Sequence, residues 1–197
     1  MAVSRDPILK RCRSLGISPS YLGYSYESKR NPEKRRGKIS EYGMQQKEKQ
    51  KAKFIYGVLE KQFRGYYDKA TRMPGQTGEN LIILCERRLD NVIFRLGFAR
   101  TRKQARQVVN HGHVLVNGKK VDIPSYLIEA GDQIEIKEKS KSTAEFKDIK
   151  EANASFGVVN WLESDIENLK AKVVSLPTRE EIDIPVDERA IVEFYSK

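Results

Sequence analysis

The sequence predicts an α+β fold, with a mainly helical first part and a small antiparallel sheet later in the chain. Three observations lead there. Apolar residues recur at helical spacing through much of residues 41–110. Asn117-Gly118, set between Val114-Leu115-Val116 and Lys119-Lys120-Val121-Asp122-Ile123, is a strong hairpin signal, because both turn positions need φ > 0. Gln133-Ile134-Glu135-Ile136 alternates polar and apolar with period two, as a half-buried strand does.

Taken in order, residues 1–39 are basic and rich in Gly, Ser, Pro and Tyr, and are expected to form an extended arm. Tyr21, Tyr24 and Tyr26 suit either base stacking or packing of the arm onto the body. Ser40 is placed to cap a helix over 41–59, and Gly57 interrupts it near its end. Lys47 and Lys51, like Lys49 and Lys53, are like-charged i,i+4 pairs that a polyanion would relieve, although a solvated face also explains Lys49 and Lys53. Phe63, Tyr66, Tyr67 and Ala70 form an apolar stripe on a second helix, and Met73–Gly78 is a loop. A longer helix opens at Thr77 or Gly78, carries Leu81, Leu84, Cys85, Leu89, Val92, Ile93 and Leu96 inward, and stops at Gly97. Thr101 with Gln104 makes a capping box for the next helix, which turns Ala105, Val108 and Val109 inward and ends at His111-Gly112. Beyond the hairpin, closed by Pro124, lie the strand 133–136, a weak helical pattern in 144–152, and strand candidates at 161–162 and 171–176. The stretch from Glu188 to Tyr195 is apolar enough to dock as helix or strand.

The chain has 197 residues, 39% hydrophobic and 32% charged, so it is globular but highly charged. No apolar run approaches the ~20 residues of a membrane span, and the first ten residues lack the apolar core of a signal peptide, so a cytoplasmic protein without a membrane partner is expected. Cys12 and Cys85 give neither a disulfide framework nor a metal-ligand spacing, and Cys85 reads as a small buried hydrophobe. Residues 1–120 carry 27 basic and 10 acidic side chains, a net +17, whereas residues 121–197 carry 10 and 17, a net −7. A polyanion is the partner that this asymmetry suits, with the acidic segment keeping it off one face and favouring a basic protein neighbour.

The basic residues concentrate where the sheet begins. Arg100, Arg102, Lys103 and Arg106 crowd one helix start, with Arg102 and Arg106 on a shared face. Asn117, Lys119 and Lys120 stand at the hairpin tip. A basic helix beside a basic turn suits phosphates on two sides of a folded RNA, read by shape. Replacing Arg102, Lys103 and Arg106 with Ala is then expected to weaken RNA binding without unfolding the chain.

The run Arg88-Leu89-Asp90-Asn91, Arg95-Leu96-Gly97-Phe98, Arg100 to Gln107, His111-Gly112-His113 and Val116 to Ser125 resembles the S-four-type RNA-binding domain. The flanks Lys47 to Lys51, Ile55-Tyr56-Gly57, Glu60 to Arg64 and the ending Val192 to Lys197 are similar to the family of bacterial small-subunit ribosomal protein four, so the likeness covers nearly the whole chain. The resemblance implies a helical first domain, made from the N-terminal part plus the extreme C-terminus, into which the module and a small antiparallel sheet are inserted. The boundaries are a basic arm over 1–39, a helical domain over 40–86 completed by about 186–197, the RNA-binding domain over 87–150, and a sheet and turn extension over 151–185. It implies a primary binder of small-subunit (16S) ribosomal RNA that nucleates assembly of the subunit body. It also implies contact with small-subunit protein five, tied to translational accuracy, and, as in some members, repression of its own messenger RNA. The candidate RNA-binding residues are Arg88, Arg95, Arg100, Arg102, Lys103, Arg106, His113, Asn117, Lys119 and Lys120, with Lys34, Arg35, Arg36, Lys47, Lys51, Tyr56 and Arg64 before them.

Some members of that family carry a zinc-binding cysteine cluster near the N-terminus. Here Lys10-Arg11-Cys12-Arg13 keeps one cysteine, so neither zinc nor another cofactor is expected. An enzyme is the main rival class, since similar modules are fused to pseudouridine synthases and tyrosyl-tRNA synthetases. Arg88-Leu89-Asp90 resembles a motif of one synthase group, in which Thr-Ser-Gly follows the catalytic aspartate, but Asn91-Val92-Ile93-Phe94 follows here. No enzymatic activity is expected. The alternative function is a free-standing RNA chaperone or RNA-modifying factor with the same module.

Overall fold

The structure is a computed structural model that describes residues 7–26, 39–153 and 157–196. The chain forms two compact units, one of residues up to Ile82 together with those from Ile184 onward, the other Ile83–Asp183.

In the first unit the expected extended arm is corrected over its described part. Ile8–Leu15 is a helix (α1), followed by a 3-10 turn over Pro19–Leu22. Cys12, Leu15, Ile17 and Leu22 are buried, which is enough apolar surface to fold a short basic segment against its neighbour. Gly16, at φ 73°, closes α1 by donating its N–H to the Cys12 carbonyl at 2.8 Å. Arg11 donates to Gln50 at 3.2 Å, which ties α1 to the next helix.

That helix, α2, spans Glu41–Tyr56. Ser40 caps it, its Oγ accepting the Gly43 N–H at 3.2 Å, and Gly57 ends it at φ 62°. Helix α3, Glu60–Ala70, buries Phe63, Tyr66, Tyr67 and Ala70, the stripe expected from their spacing. Helix α4 spans Thr77–Glu86. The last helix of the chain, α9 (Glu188–Ser196), packs on α2, where Gln45 donates to both Glu41 at 3.1 Å and Glu193 at 2.9 Å.

The second unit carries α5 (Leu89–Arg95), α6 (Arg102–Asn110), β1 (Val114–Val116), β2 (Lys119–Lys120), β3 (Gln133–Ile136), α7 (Glu138–Lys141), α8 (Ala144–Ala152), β4 (Leu162–Asp165) and β5 (Lys170–Val173). The strands form one sheet in the order β2-β1-β3-β5-β4, antiparallel throughout. One face of the sheet, through Val114, Val116, Ile134, Ile136 and Val173, packs into a core with Leu89, Ile93, Leu96, Phe98, Val108, Phe146 and Trp161. The return strand is shorter than expected, with Val121 adding one further bond to the Val114 carbonyl at 3.2 Å.

The single helix expected to open at Thr77 or Gly78 and to stop at Gly97 is two helices. Arg88 breaks it by adopting an extended conformation, φ −64° and ψ 135°, and bridging to Leu127. The first donors of α5, the Leu89 and Asp90 N–H groups, are satisfied by the Tyr126 and Pro124 carbonyls at 2.8 and 3.2 Å. The Ile128 N–H returns a bond to the Arg87 carbonyl at 3.0 Å. A segment some forty residues away thus supplies the cap, which local spacing could not reveal.

Candidate nucleic-acid interface

Helix α6 starts as expected. Thr101 Oγ1 accepts the Gln104 N–H at 3.1 Å, while the Gln104 side chain reaches one residue further back than a standard capping box and accepts the Arg100 N–H at 2.8 Å. Ala105, Val108 and Val109 are buried, and Arg100, Lys103, Gln107 and His111 are exposed. The amphipathic division of the helix therefore leaves Lys103 facing solvent, and Arg100, just before the cap, is exposed beside it. Helix α8 borders this end, with Gln104 donating to Glu145 at 2.9 Å and Arg100 to the Asp148 carbonyl at 3.1 Å.

The other arginines of this stretch lie deeper. Arg88, expected at the RNA face, is 0% exposed. Its Nε and Nη2 donate to the two carboxylate oxygens of Asp90 at 3.0 and 2.5 Å, a two-pronged pair that pins the helix break. This corrects its assignment as a contact residue. Arg106 donates through Nη1 to the same Asp90 carboxylate at 3.1 Å and keeps 19% of its side chain exposed. Arg102 is 8% exposed, with its guanidinium 4.6 Å from the centre of the Phe94 ring. Arg95 binds Glu86 at 3.1 and 2.9 Å and Asp183 at 2.8 Å. Replacing Arg102, Lys103 and Arg106 together would therefore remove internal contacts as well as surface charge, which corrects the expectation of an unperturbed fold.

The hairpin turns as its sequence requires, with Asn117 at φ 50° and Gly118 at φ 76°. Asn117 is exposed, yet its amide is bound on both sides, donating to Asp132 at 2.8 Å and accepting the Gln133 N–H at 2.9 Å. It holds the tip to β3. Lys119 is exposed, and Lys120 keeps 53% of its side chain exposed with Asp122 at 3.4 Å. The Lys120 alkyl chain crosses Gly112, which ends α6 at φ 69°, so a Cβ there would displace the end of that side chain. Helix end and hairpin are thereby joined through one lysine. His113 hydrogen-bonds Ser140 at 2.8 Å and meets the Phe146 ring edge-on at 5.8 Å. Burial, then the adjacent His111, lowers its pKa, which favours the neutral ring against α7 and α8.

The first unit sorts its candidates likewise. Arg64 is 54% exposed and lies 5.0 Å from the Tyr195 ring centre, with Asp68 at 3.4 Å. Tyr56 is buried at 4%, Lys47 is half-buried, and Lys51 pairs with Glu48 at 2.6 Å. Lys49 and Lys53, for which a solvated face was a sufficient account, both bind Glu60, at 2.9 and 2.7 Å, and Tyr195 donates to it at 2.9 Å. Burial pushes the Glu60 carboxyl up, but the bonds from Lys53, Lys49 and Tyr195 outweigh it and bring the pKa down to about 2. Lys34, Arg35 and Arg36 fall outside the described residues.

Both cysteines are buried and free, and burial pushes the Cys85 thiol up to about 12. Among the described residues no group of His, Cys, Asp and Glu side chains is arranged to hold a metal ion, and no helix is long and apolar enough to cross a membrane. The exposed cations of the second unit include Arg100, just before α6, Lys103 in its first turn, and Lys119 and Lys120 on the hairpin. Cations at such fixed places match phosphates along a folded strand.

Comparison with known proteins agrees with this chemistry. Residues 87–134 match the S4 domain family, and residues 5–86 match the family described as Ribosomal protein S4/S9 N-terminal domain. The chain is 64% identical to the small ribosomal subunit protein uS4 of Lachnospira eligens and 62% identical to that of Agathobacter rectalis, each over 100% of both chains. It is 56% identical to that of Halothermothrix orenii over 83% of this chain and 79% of the relative. The chain belongs to the family of the small ribosomal subunit protein uS4.

Proposed function

We propose that this chain is a structural component of the small ribosomal subunit, working in the cytoplasm as a primary binder of 16S ribosomal RNA that nucleates assembly of the subunit body. The observation that carries the reading is the exposure of Arg100 just before α6, Lys103 in its first turn, and Lys119 and Lys120 on the hairpin, all within the part of the chain that matches the S4 domain family. Cations held on a rigid helix and a tight turn bind phosphates at set spacings, which selects a folded RNA by shape rather than by base sequence. Each phosphate contact releases condensed counterions, so affinity falls steeply with salt.

Two finer parts belong to the same proposal. The acidic segment 121–197, net −7, suits a basic protein neighbour, for which small-subunit protein five is the proposed partner, and through that contact the chain contributes to translational accuracy. Repression of its own messenger RNA would use the same exposed cations on a second folded RNA. Footprinting of 16S ribosomal RNA with the purified protein tests the main claim. Protection confined to a junction of helices is expected, and protection spread evenly along the RNA would overturn it. Sedimentation separates this from a transient RNA chaperone, since a structural component stays with small subunits through high-salt washes.

A further inference from the structure

We infer that Asp90 is a positioning residue for RNA binding, acting through Arg106. This rests on the reading of α6 and the hairpin as the RNA-binding surface. Asp90 is 4% exposed, yet its carboxylate receives three bonds from two arginines: Nε and Nη2 of Arg88 at 3.0 and 2.5 Å, and Nη1 of Arg106 at 3.1 Å. Arg88 is 0% exposed and cancels the Asp90 charge in place. Arg106 is the partly exposed end of the cluster, on the same helix as Lys103.

An arginine side chain free in water loses rotamer entropy when a phosphate fixes it. Here that ordering occurs on folding, because Asp90 already holds the guanidinium. Asp90 is itself fixed by the break between α4 and α5, since its own N–H is bound to the Pro124 carbonyl at 3.2 Å. The break thus has a use beyond chain reversal: it sets a carboxylate under α6 at the height of Arg106.

The sign of one substitution decides the matter. An acid beside a polyanion repels it, so on charge alone Asp90→Asn tightens RNA binding. Positioning predicts the opposite, a weakening of about fivefold, the cost of ordering one rotamer-rich side chain on binding. The number of phosphate contacts is unchanged, so the slope of log K against log salt stays at the wild-type value. Arg106→Ala instead removes a contact and flattens that slope by about 0.7–0.9. In Arg106→Ala, adding Asp90→Asn causes no further weakening.

The experiment is a salt titration of 16S ribosomal RNA binding for the full chain and these three variants, with near-ultraviolet circular dichroism confirming the fold. Tighter or unchanged binding by Asp90→Asn, or additive losses in the double variant, would overturn the inference. Lys103→Ala is run alongside: if it leaves the salt slope unchanged, the RNA-binding surface itself is elsewhere, a separate failure. Should Asp90→Asn not fold, side-chain NMR of the wild-type protein free of RNA decides. The Arg106 guanidinium is expected to be more ordered than that of exposed Arg100, and equal mobility would refute positioning.

Discussion

Each unit gathers two cations on one carboxylate, and the two clusters differ in how much water reaches them. In the second unit Asp90 binds Arg88 and Arg106, with the Asp90 and Arg88 side chains 6% and 1% exposed. In the first, Glu60 binds Lys49 and Lys53 while 47% of its own side chain stays in water. Removing one partner from a dry cluster strands a charge that nothing else can solvate, whereas a wet cluster lets water take the place of the missing group. The same composition therefore makes a rigid pin in one unit and a modest clasp in the other. The pin lies under the proposed RNA surface. The clasp holds the C-terminal helix α9 to α2 and α3, helped by Lys49 at 4.1 Å from the Phe194 ring centre and by the Tyr195 ring, tilted against Tyr67 with centres 4.7 Å apart.

The largest effect should come from breaking the dry cluster outright. Asp90→Ala leaves Arg88 charged and buried without its carboxylate, and a loss of about 3–5 kcal/mol in unfolding free energy is expected by urea denaturation. A loss as small as that of a surface substitution would mean that the two clusters do not differ. Gly112→Ala comes next. It forces an alanine to φ 69°, so a cost of about 1–3 kcal/mol is expected from backbone strain, and its Cβ displaces the flexible end of Lys120, with weaker RNA binding. Unchanged RNA affinity would separate Lys120 from the interface.

The wet cluster gives the smallest effect and a pH window. The Glu60 carboxyl is lowered from 4.5 to about 2 in the folded chain, so its contribution is complete above pH 4.5 and is lost as pH falls through 2. Glu60→Gln should therefore show its full cost at neutral pH, smaller than that of Asp90→Ala, and variant and wild type should converge in stability as acid is added through that range. A constant difference across the window would show that the lysines do not act through the charge of Glu60.

Much of the architecture could be read from local chemistry. Ser40 and Thr101 cap the helices they precede, Asn117-Gly118 turns the hairpin, and the 3.6-residue spacing of Ala105, Val108 and Val109 gives the buried face of α6. These features are set by neighbours within a few residues, which is why spacing reveals them. The helix break at Arg88 depends on carbonyls at 124 and 126, and α1 is too short and too basic for its pattern to stand out. The basic site was legible as a region but not residue by residue. Sequence counts a positive charge equally whether it faces solvent, as Lys103 does, or stacks on Phe94, as Arg102 does. Which cations are inward is decided by Asp90 and Glu86, whose partners lie up to sixteen residues away. Likewise nothing local marked Ser140 as the partner that turns His113 away from solvent.

The central claim is that the exposed cations of α6 and the hairpin bind ribosomal RNA while the buried arginines beneath them hold the surface in shape. The most direct measurement is the salt dependence of 16S ribosomal RNA affinity for a variant with Lys103, Lys119 and Lys120 all replaced by Ala. Loss of three phosphate contacts should flatten the slope of log K against log salt by about two to three units, with the melting temperature little changed. A slope equal to that of the unmodified chain would contradict the account.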